Sequence, residues 1–194
     1  PVIFILLVML SAAYTIVIEW KRNTQLVLYR MSGKSPLTAI VGKLLPQTLV
    51  FWLIAILYAV YFYRFLQFPC NSGLLPMILI GMLTVLGAQG LAAFFFGVCG
   101  QMRLSMCLCS LWGILSFSLA GFTFPVTAMD GILQKLSALF PLRHYYLLYV
   151  NQALNGYSIV YAWHSLLAMA IFALLPLLTL RHYHSLFLNH KYVP

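Results

Sequence analysis

Apolar residues run along this chain in stretches too long for the helices of a water-soluble core. A bilayer core of about 30 Å needs roughly 20 apolar residues of helix. Five stretches qualify or nearly so, at about 1–18, 44–63, 74–98, 104–124 and 158–180. The pattern predicts five spans. The second and third are split by the turn-rich loop Gln67-Phe68-Pro69-Cys70-Asn71-Ser72-Gly73, the third and fourth by the short link Gly100-Gln101-Met102-Arg103. Lys21 and Arg22 follow the first run, whereas a signal peptide carries its charge before its apolar run. The chain opens at Pro1, inside that run and without a methionine, and is expected to be the C-terminal part of a longer protein.

Two segments between the spans show helical rather than continuous patterning. From Glu19 to about Gln47, Trp20, Thr24, Val27 and Met31 fall on one stripe of a helical wheel, with Arg22, Gln25 and Tyr29 opposite. This reads as a modestly amphipathic helix lying on the membrane surface, followed by a turn at Ser32-Gly33-Lys34-Ser35-Pro36. On composition it is a basic anchor for anionic lipid before it is a docking surface for a partner. Over 125–157, Met129, Ile132, Leu133, Leu136, Leu139 and Phe140 form a second stripe, opposite Asp130, Gln134, Lys135 and Ser137. Pro141 is read as its stop. Leu142, Tyr145, Tyr146, Tyr149 and Ala153 then repeat the pattern up to the end signal Asn155-Gly156. Two short helices hinged at a proline fit a re-entrant pair that dips into one leaflet without crossing it.

Composition closes off other classes. The chain is 63% hydrophobic and 7% charged, against about 45–50% and about 25% in soluble domains. Eleven Lys+Arg face two Asp+Glu, a balance that would suit nucleic acid if the cations shared a polar face. They lie instead in the gaps between apolar runs and therefore read as topology markers. With the 19–43 loop placed inside, Lys21, Arg22, Arg30, Lys34, Lys43, Arg103, Arg181 and Lys191 are cytoplasmic, and only Arg64, Lys135 and Arg143 are outside. Tyr58, Tyr61, Phe62, Tyr63, Phe65 and Phe68 then crowd the outer end of the second span, where rings favour the interface.

Two carboxylates are too few for paired-acid hydrolysis or a carboxylate metal cage. The five apolar stretches contain no Asp, Glu, Lys or Arg, whereas ion-coupled carriers usually bury such groups near the midplane. Gln89, His164 and scattered Ser and Thr are the polar content. His164 is expected to bond across helices rather than to catalyse. Cys107 and Cys109 should point to different sides of one helix, and the four cysteines imply neither a disulfide framework nor a metal site. His182, His184 and His190 read as part of a solvated basic end. Gly33-Lys34-Ser35 looks like the close of a P-loop, but Leu28 stands where the first glycine belongs, so the chain has no such nucleotide site.

The order of several short motifs resembles a known family. Glu19-Trp-Lys-Arg-Asn-Thr24 directly follows a span, and Ile40-Val-Gly-Lys-Leu-Leu-Pro46 leads into the next. Ala120-Gly-Phe-Thr-Phe-Pro125, Met129 and Leu136-Ser-Ala-Leu-Phe-Pro-Leu-Arg143-His-Tyr-Tyr146 then precede the last span. In this order they resemble the membrane subunit of an ABC-2 type exporter, in the class with a large external domain between spans one and two. The resemblance covers essentially the whole chain, as spans two to six of an all-α polytopic bundle. It implies one permease domain over 1–194, with a cytoplasmic coupling loop at 19–43, an outer hairpin at 125–157 and a cytoplasmic tail at 181–194.

The resemblance also implies roles. Glu19, Trp20, Arg22, Asn23, Thr24, Gln25, Val27 and Met31 would form the helix that seats on a separate ATPase, with Gly42 and Lys43 at the entry to the next span. Asn23 stands where the family commonly has Gly. Phe124, Pro125, Met129, Pro141, Arg143 and Tyr146 would shape the outer hairpin. The chain itself would perform no chemistry and bind no cofactor. ATP and Mg would belong to the ATPase, a second permease would complete a homo- or heterodimer, and the setting would be a bacterial inner membrane with the C-terminus in the cytoplasm. The uncharged spans suggest an amphipathic or apolar cargo, drug-like or lipid-linked. The competing readings are a membrane scaffold without transport, and a secondary carrier with its ionisable residues upstream.

Overall fold

The structure, a computed structural model, describes residues 2–22, 24–33, 35–121, 129–157 and 159–189. Asn23, Lys34, Phe124, Pro125, His190 and Lys191 lie outside the described residues. The described chain is helical throughout: α1 (Val2–Lys21), α2 (Gln25–Met31), α3 (Pro36–Val60), α4 (Leu74–Cys99), α5 (Met102–Leu119), α6 (Gly131–Ser137), α7 (Pro141–Tyr149), α8 (Trp163–Leu174) and α9 (Leu180–Asn189). A π-helical turn over Tyr61–Phe65 extends α3 and another, Val150–Leu154, extends α7, while 3-10 turns over Ile159–Ala162 and Leu175–Thr179 bracket α8. The fold class read from the sequence is the one observed.

Among the described residues, four helical stretches are long and apolar enough to cross a membrane: Val2–Lys21, Pro36–Phe65, Leu74–Cys99 and Val160–His184. The fifth expected span is the shorter apolar helix Arg103–Leu119. The second span begins at Pro36 rather than near 44, because Pro36 takes the first-turn position where a missing N–H costs nothing. Gly42 and Lys43 therefore lie inside α3 rather than at its entry. Pro46 sits further along the same helix and leaves the Gly42 carbonyl without its usual helical donor.

α1 and α4 form the core. On α1, Ile5, Val8, Met9, Ala12, Ala13, Ile16, Val17 and Trp20 are buried, a stripe at three- and four-residue spacing. α4 is enclosed on more sides: 61% of its spanning window is buried, against 17% for α3 and for the last span. Lipid tails are as apolar as leucine, so helices in a bilayer associate through close packing, which favours small residues. α4 supplies them. A Cβ added at Gly90 would sit 2.3 Å from the Phe172 carbonyl oxygen, and one at Gly97 would sit 2.5 Å from the Thr179 Oγ1. The last span thus lies on α4 at backbone distance.

Among the described residues, two side-chain pairs cross between helices inside the bundle. Thr48 Oγ1 lies 2.8 Å from Gln89 Oε1, joining α3 to α4, and Gln47 Nε2 donates to Ser11 Oγ at 2.6 Å, joining α3 to α1. His164 departs from expectation: it is exposed at the start of the last span, its ring 3.9 Å from that of Trp163. Cys109 is buried and Cys107 exposed, as two-residue spacing on a helix requires.

Gly90→Ala should lower the thermal midpoint of the detergent-solubilised chain sharply. The added methyl meets backbone, which cannot yield as a side chain does, and overpacking costs about 1–3 kcal/mol even where neighbours adjust. Gly42→Ala, whose methyl meets nothing within 4 Å, should leave the midpoint unchanged or raise it slightly.

Candidate functional site

α1 ends at Lys21, and α2 begins at Gln25, with Thr24 at its N-cap position and a turn between the two helices. The turn is held by the carboxylate of Glu19, which accepts from the Thr24 hydroxyl and from the Lys43 ammonium on α3. Three of the sequence-predicted residues, Glu19, Thr24 and Lys43, are thus brought together in one cluster that ties α1, the turn and α3. Lys43 and Glu19 are partly exposed, at 28% and 15%.

This break in the helix resets the phase, so one wheel drawn through 20–31 does not describe the segment. Trp20 belongs to α1 and is buried. On α2 the faces are the reverse of the predicted ones: Gln25 and Tyr29 are buried, while Val27 and Met31 are 56% and 82% exposed, with Leu26 exposed beside them. Arg22 and Arg30 are exposed as well. The outward surface of α2 is therefore an apolar patch flanked by cations.

α2 faces inward at Tyr29 because α9 offers it partners that the sequence reading assigned to a solvated tail. The Phe187 ring stacks on Tyr29 at 5.4 Å and packs against Trp20 at 4.8 Å, and His184 meets Tyr29 edge-on at 5.9 Å. The Trp20 indole donates to the Leu186 carbonyl at 3.4 Å and its ring meets Phe96 of α4. Tyr183, fully buried, donates to the Ala93 carbonyl at 2.5 Å. The i, i+3, i+4 spacing of Tyr183, Leu186 and Phe187 was the available signal, masked by the flanking His182 and His184.

The alternation of helices places Lys21, Arg22, Arg30, Lys43, Arg103 and Arg181 at this same end of the bundle. Arg64, Lys135 and Arg143 lie at the other. At that far end the Tyr58, Phe62 and Phe68 rings form a ladder, with centroids 4.4 and 5.6 Å apart. Asn71 pins the loop there: its backbone N–H donates to the Ala153 carbonyl at 3.1 Å and its Nδ2 to the Leu154 carbonyl at 2.7 Å. Gly156, at φ +63°, closes over it; a Cβ there would come within 2.8 Å of the Asn71 Cβ.

The two short helices of the hairpin form where the periodicity puts them, but the stripe on the first faces outward. Ile132, Leu133, Leu136 and Leu139 are exposed, whereas Ser137 and Phe140 are buried. Met129 precedes α6, and Asp130 is exposed at its N-cap position. An outward apolar stripe suits a helix bathed in lipid rather than water. Pro141 starts α7 rather than stopping α6, with Phe140 as its cap. Arg143 Nη1 donates to the Ala120 carbonyl at 3.3 Å, closing the hairpin on the end of α5, and Tyr146 is half-buried on α7. Burial pulls the pKa of His144 below its ordinary value, while its bond to the Ala138 carbonyl at 2.8 Å opposes that shift.

Among the described residues no three His, Cys, Asp or Glu side chains gather where a metal ion would bind. A family model described as ABC-2 family transporter protein matches residues 1–180. No curated protein and no solved structure matches the chain. The family match stops where α9 begins, so the helix that supports α2 lies beyond it.

A double-mutant cycle of Glu19→Gln and Lys43→Met, read as unfolding free energy in detergent, should give a coupling of about 1 kcal/mol. The pair is partly exposed, which holds it near the range of surface ion pairs. Additive effects of the two substitutions would show that the ion pair does not tie α1 to α3.

Proposed function

The chain belongs to the ABC-2 transporter family, and from that premise we propose that it serves an ATP-driven exporter, seating a separate ATPase on α2. The family makes it a membrane-embedded permease component of an ABC transporter. The observation that carries the finer reading is the inverted face of α2. Val27 and Met31 are turned away from the bundle although three aromatic side chains stand ready to bury apolar groups on the other side. An exposed apolar patch rimmed by polar residues is what a docking surface offers.

In this role Glu19, Thr24 and Lys43 anchor the patch to two spans, so that a push on α2 reaches α1 and α3 together. Trp20 and Gln25 are inward supports of the same patch, and Arg22 and Arg30 its basic rim. The basic end of the bundle is cytoplasmic by the positive-inside rule, in a bacterial inner membrane. ATP and Mg reside on the ATPase, and a second permease completes the pathway. The cargo is amphipathic or apolar, since the charged side chains of the spanning helices, Glu19, Lys21, Lys43, Arg64, Arg103 and Arg181, lie within about two turns of an end. The hairpin of Met129, Pro141, Arg143 and Tyr146 borders the outer exit.

Val27→Asp and Met31→Asp should lower permease-stimulated ATP turnover of the assembled complex by about tenfold or more, the effect of losing about 1.4 kcal/mol or more of docking free energy. Both side chains are exposed, so the folded permease should be unaffected. Unchanged turnover in both variants would rule out α2 as the docking element. Orientation has its own readout. In a chain whose other cysteines are replaced, Cys70 should react with an impermeant maleimide from outside, and Lys34→Cys should not. Burial pushes the Cys70 thiol up. Its labelling should therefore be slow at neutral pH and rise about tenfold per pH unit, because the thiolate is the reactive form. Labelling of Lys34→Cys in place of Cys70 would reverse the topology.

A further inference from the structure

Between α3, α4 and the last span lies a cavity of about 620 Å³, within the range of roughly 300–1,000 Å³ typical of small-molecule sites. Leu44 and Trp52 of α3, Leu86 of α4 and Pro176 of the last span form its walls. Its α3 side runs from Leu37 to Trp52, about 22 Å of helix at about 1.5 Å per residue. Leu49 and Leu177 stand on the rim and are 55% and 45% exposed, so the opening faces sideways, out of the bundle.

Two polar side chains line this apolar space, Thr48 and Gln89. Thr48 Oγ1 lies 2.8 Å from both the Leu44 carbonyl and the Gln89 amide, yet a hydroxyl has one proton to give. Gln89 is 3% exposed, and its second amide atom has no hydrogen-bond partner. Whichever end of the amide faces Thr48, the other end is left unpaired in a low-dielectric setting, where an orphaned polar group is costly. Gln47 Oε1, Trp112 Nε1 and Ser116 Oγ are buried without a partner as well, but of these four side chains only Gln89 lines the cavity.

We propose that this cavity binds a membrane-dissolved molecule with a long apolar body and a hydroxyl group, which enters from the lipid side and pairs its hydroxyl with Gln89. A hydroxyl both donates and accepts, so it completes the amide in either orientation, and its neutrality spares the desolvation of a charge at this depth. The apolar body fills the walls of α3 and the last span. The site stands independently of ATPase docking, which occurs at the end of the bundle.

The test uses the chain alone in phosphatidylcholine nanodiscs, with a hexadecanol carrying a diazirine in its chain and the matching hexadecane. The alcohol should photolabel peptides containing Leu49 and Leu177 saturably, half-saturating at about a tenfold lower concentration than the alkane, as one buried hydrogen bond implies. Gln89→Leu should abolish the difference between the two probes. Leu49→Trp, a change at the exposed rim, should block saturable labelling without burdening the fold. Ile114, exposed on α5, should be labelled by both probes without saturation. Equal half-saturation by alcohol and alkane, or labelling at the cavity as unsaturable as at Ile114, would overturn the proposal.

Discussion

The approach of the last span to α4 governs the rest of the bundle. At Gly90 and Gly97 no side chain separates the two elements, and the Phe172 carbonyl and the Thr179 hydroxyl occupy the space a Cβ would need. That contact fixes the height and rotation at which the last span continues into α9. Once fixed, it delivers Tyr183 to the Ala93 carbonyl and Phe187 to Trp20 and Tyr29. In a bilayer there is no hydrophobic gain from bringing two apolar helices together, so packing of this kind, with the van der Waals contact it permits, carries the association. A side chain on either glycine would act on the far end of the molecule as well as on its middle.

The same geometry explains why α2 stands firm while presenting apolar residues to its surroundings. A helix of seven residues has too few internal hydrogen bonds to persist on its own. It is held by contacts outside itself: the Tyr29 ring between Phe187 and His184, and the turn before it clasped by Glu19. Because both attachments lie on one side, the opposite side is free to remain apolar and open. The carboxylate of Glu19 contributes twice, since one oxygen meets Thr24 and the other meets Lys43. Loss of the carboxylate would free the turn and the α1–α3 link together.

The spans were legible because twenty-residue apolar runs survive any local ambiguity. The direction in which each span faces was not. A helix that is apolar all round gives no periodic contrast between its lipid side and its packed side. On α4 the informative residues were the small ones, Gly90, Gly97 and the alanines between them, rather than the leucines. Glu19, Thr24 and Lys43 were picked out by motif order, and their mutual contact came only with the structure, since they are brought together across a turn and two helices. The inner stripe failed for a definite reason: a single wheel spans α1 and α2, whose phase breaks after Lys21, where α1 stops. The hairpin failed in the opposite way. Its stripe over Ile132–Leu139 was real, but in a membrane an apolar stripe can face outward and be stable. The basic tail hid α9, because histidines at 182 and 184 drew attention from the buried tyrosine between them.

The placement of charge bears on where the energy for transport enters. Glu19 and Lys43 neutralise one another at one end, and Arg64 and Arg143 lie at the other. Between them, among the described residues, lie neutral amides and hydroxyls: Gln47 with Ser11, Thr48 with Gln89, Thr84 on its own Ile80 carbonyl. Amides and hydroxyls exchange hydrogen bonds but take up no proton near neutral pH. The groups that would register an external force are clustered at the Glu19 end, where two spans, a short helix and the terminal helix share contacts. A displacement of α2 by a docked partner would be felt at once by α1 through Glu19, by α3 through Lys43 and by the last span through Phe187. This wiring suits an input from outside the bilayer better than one from within it.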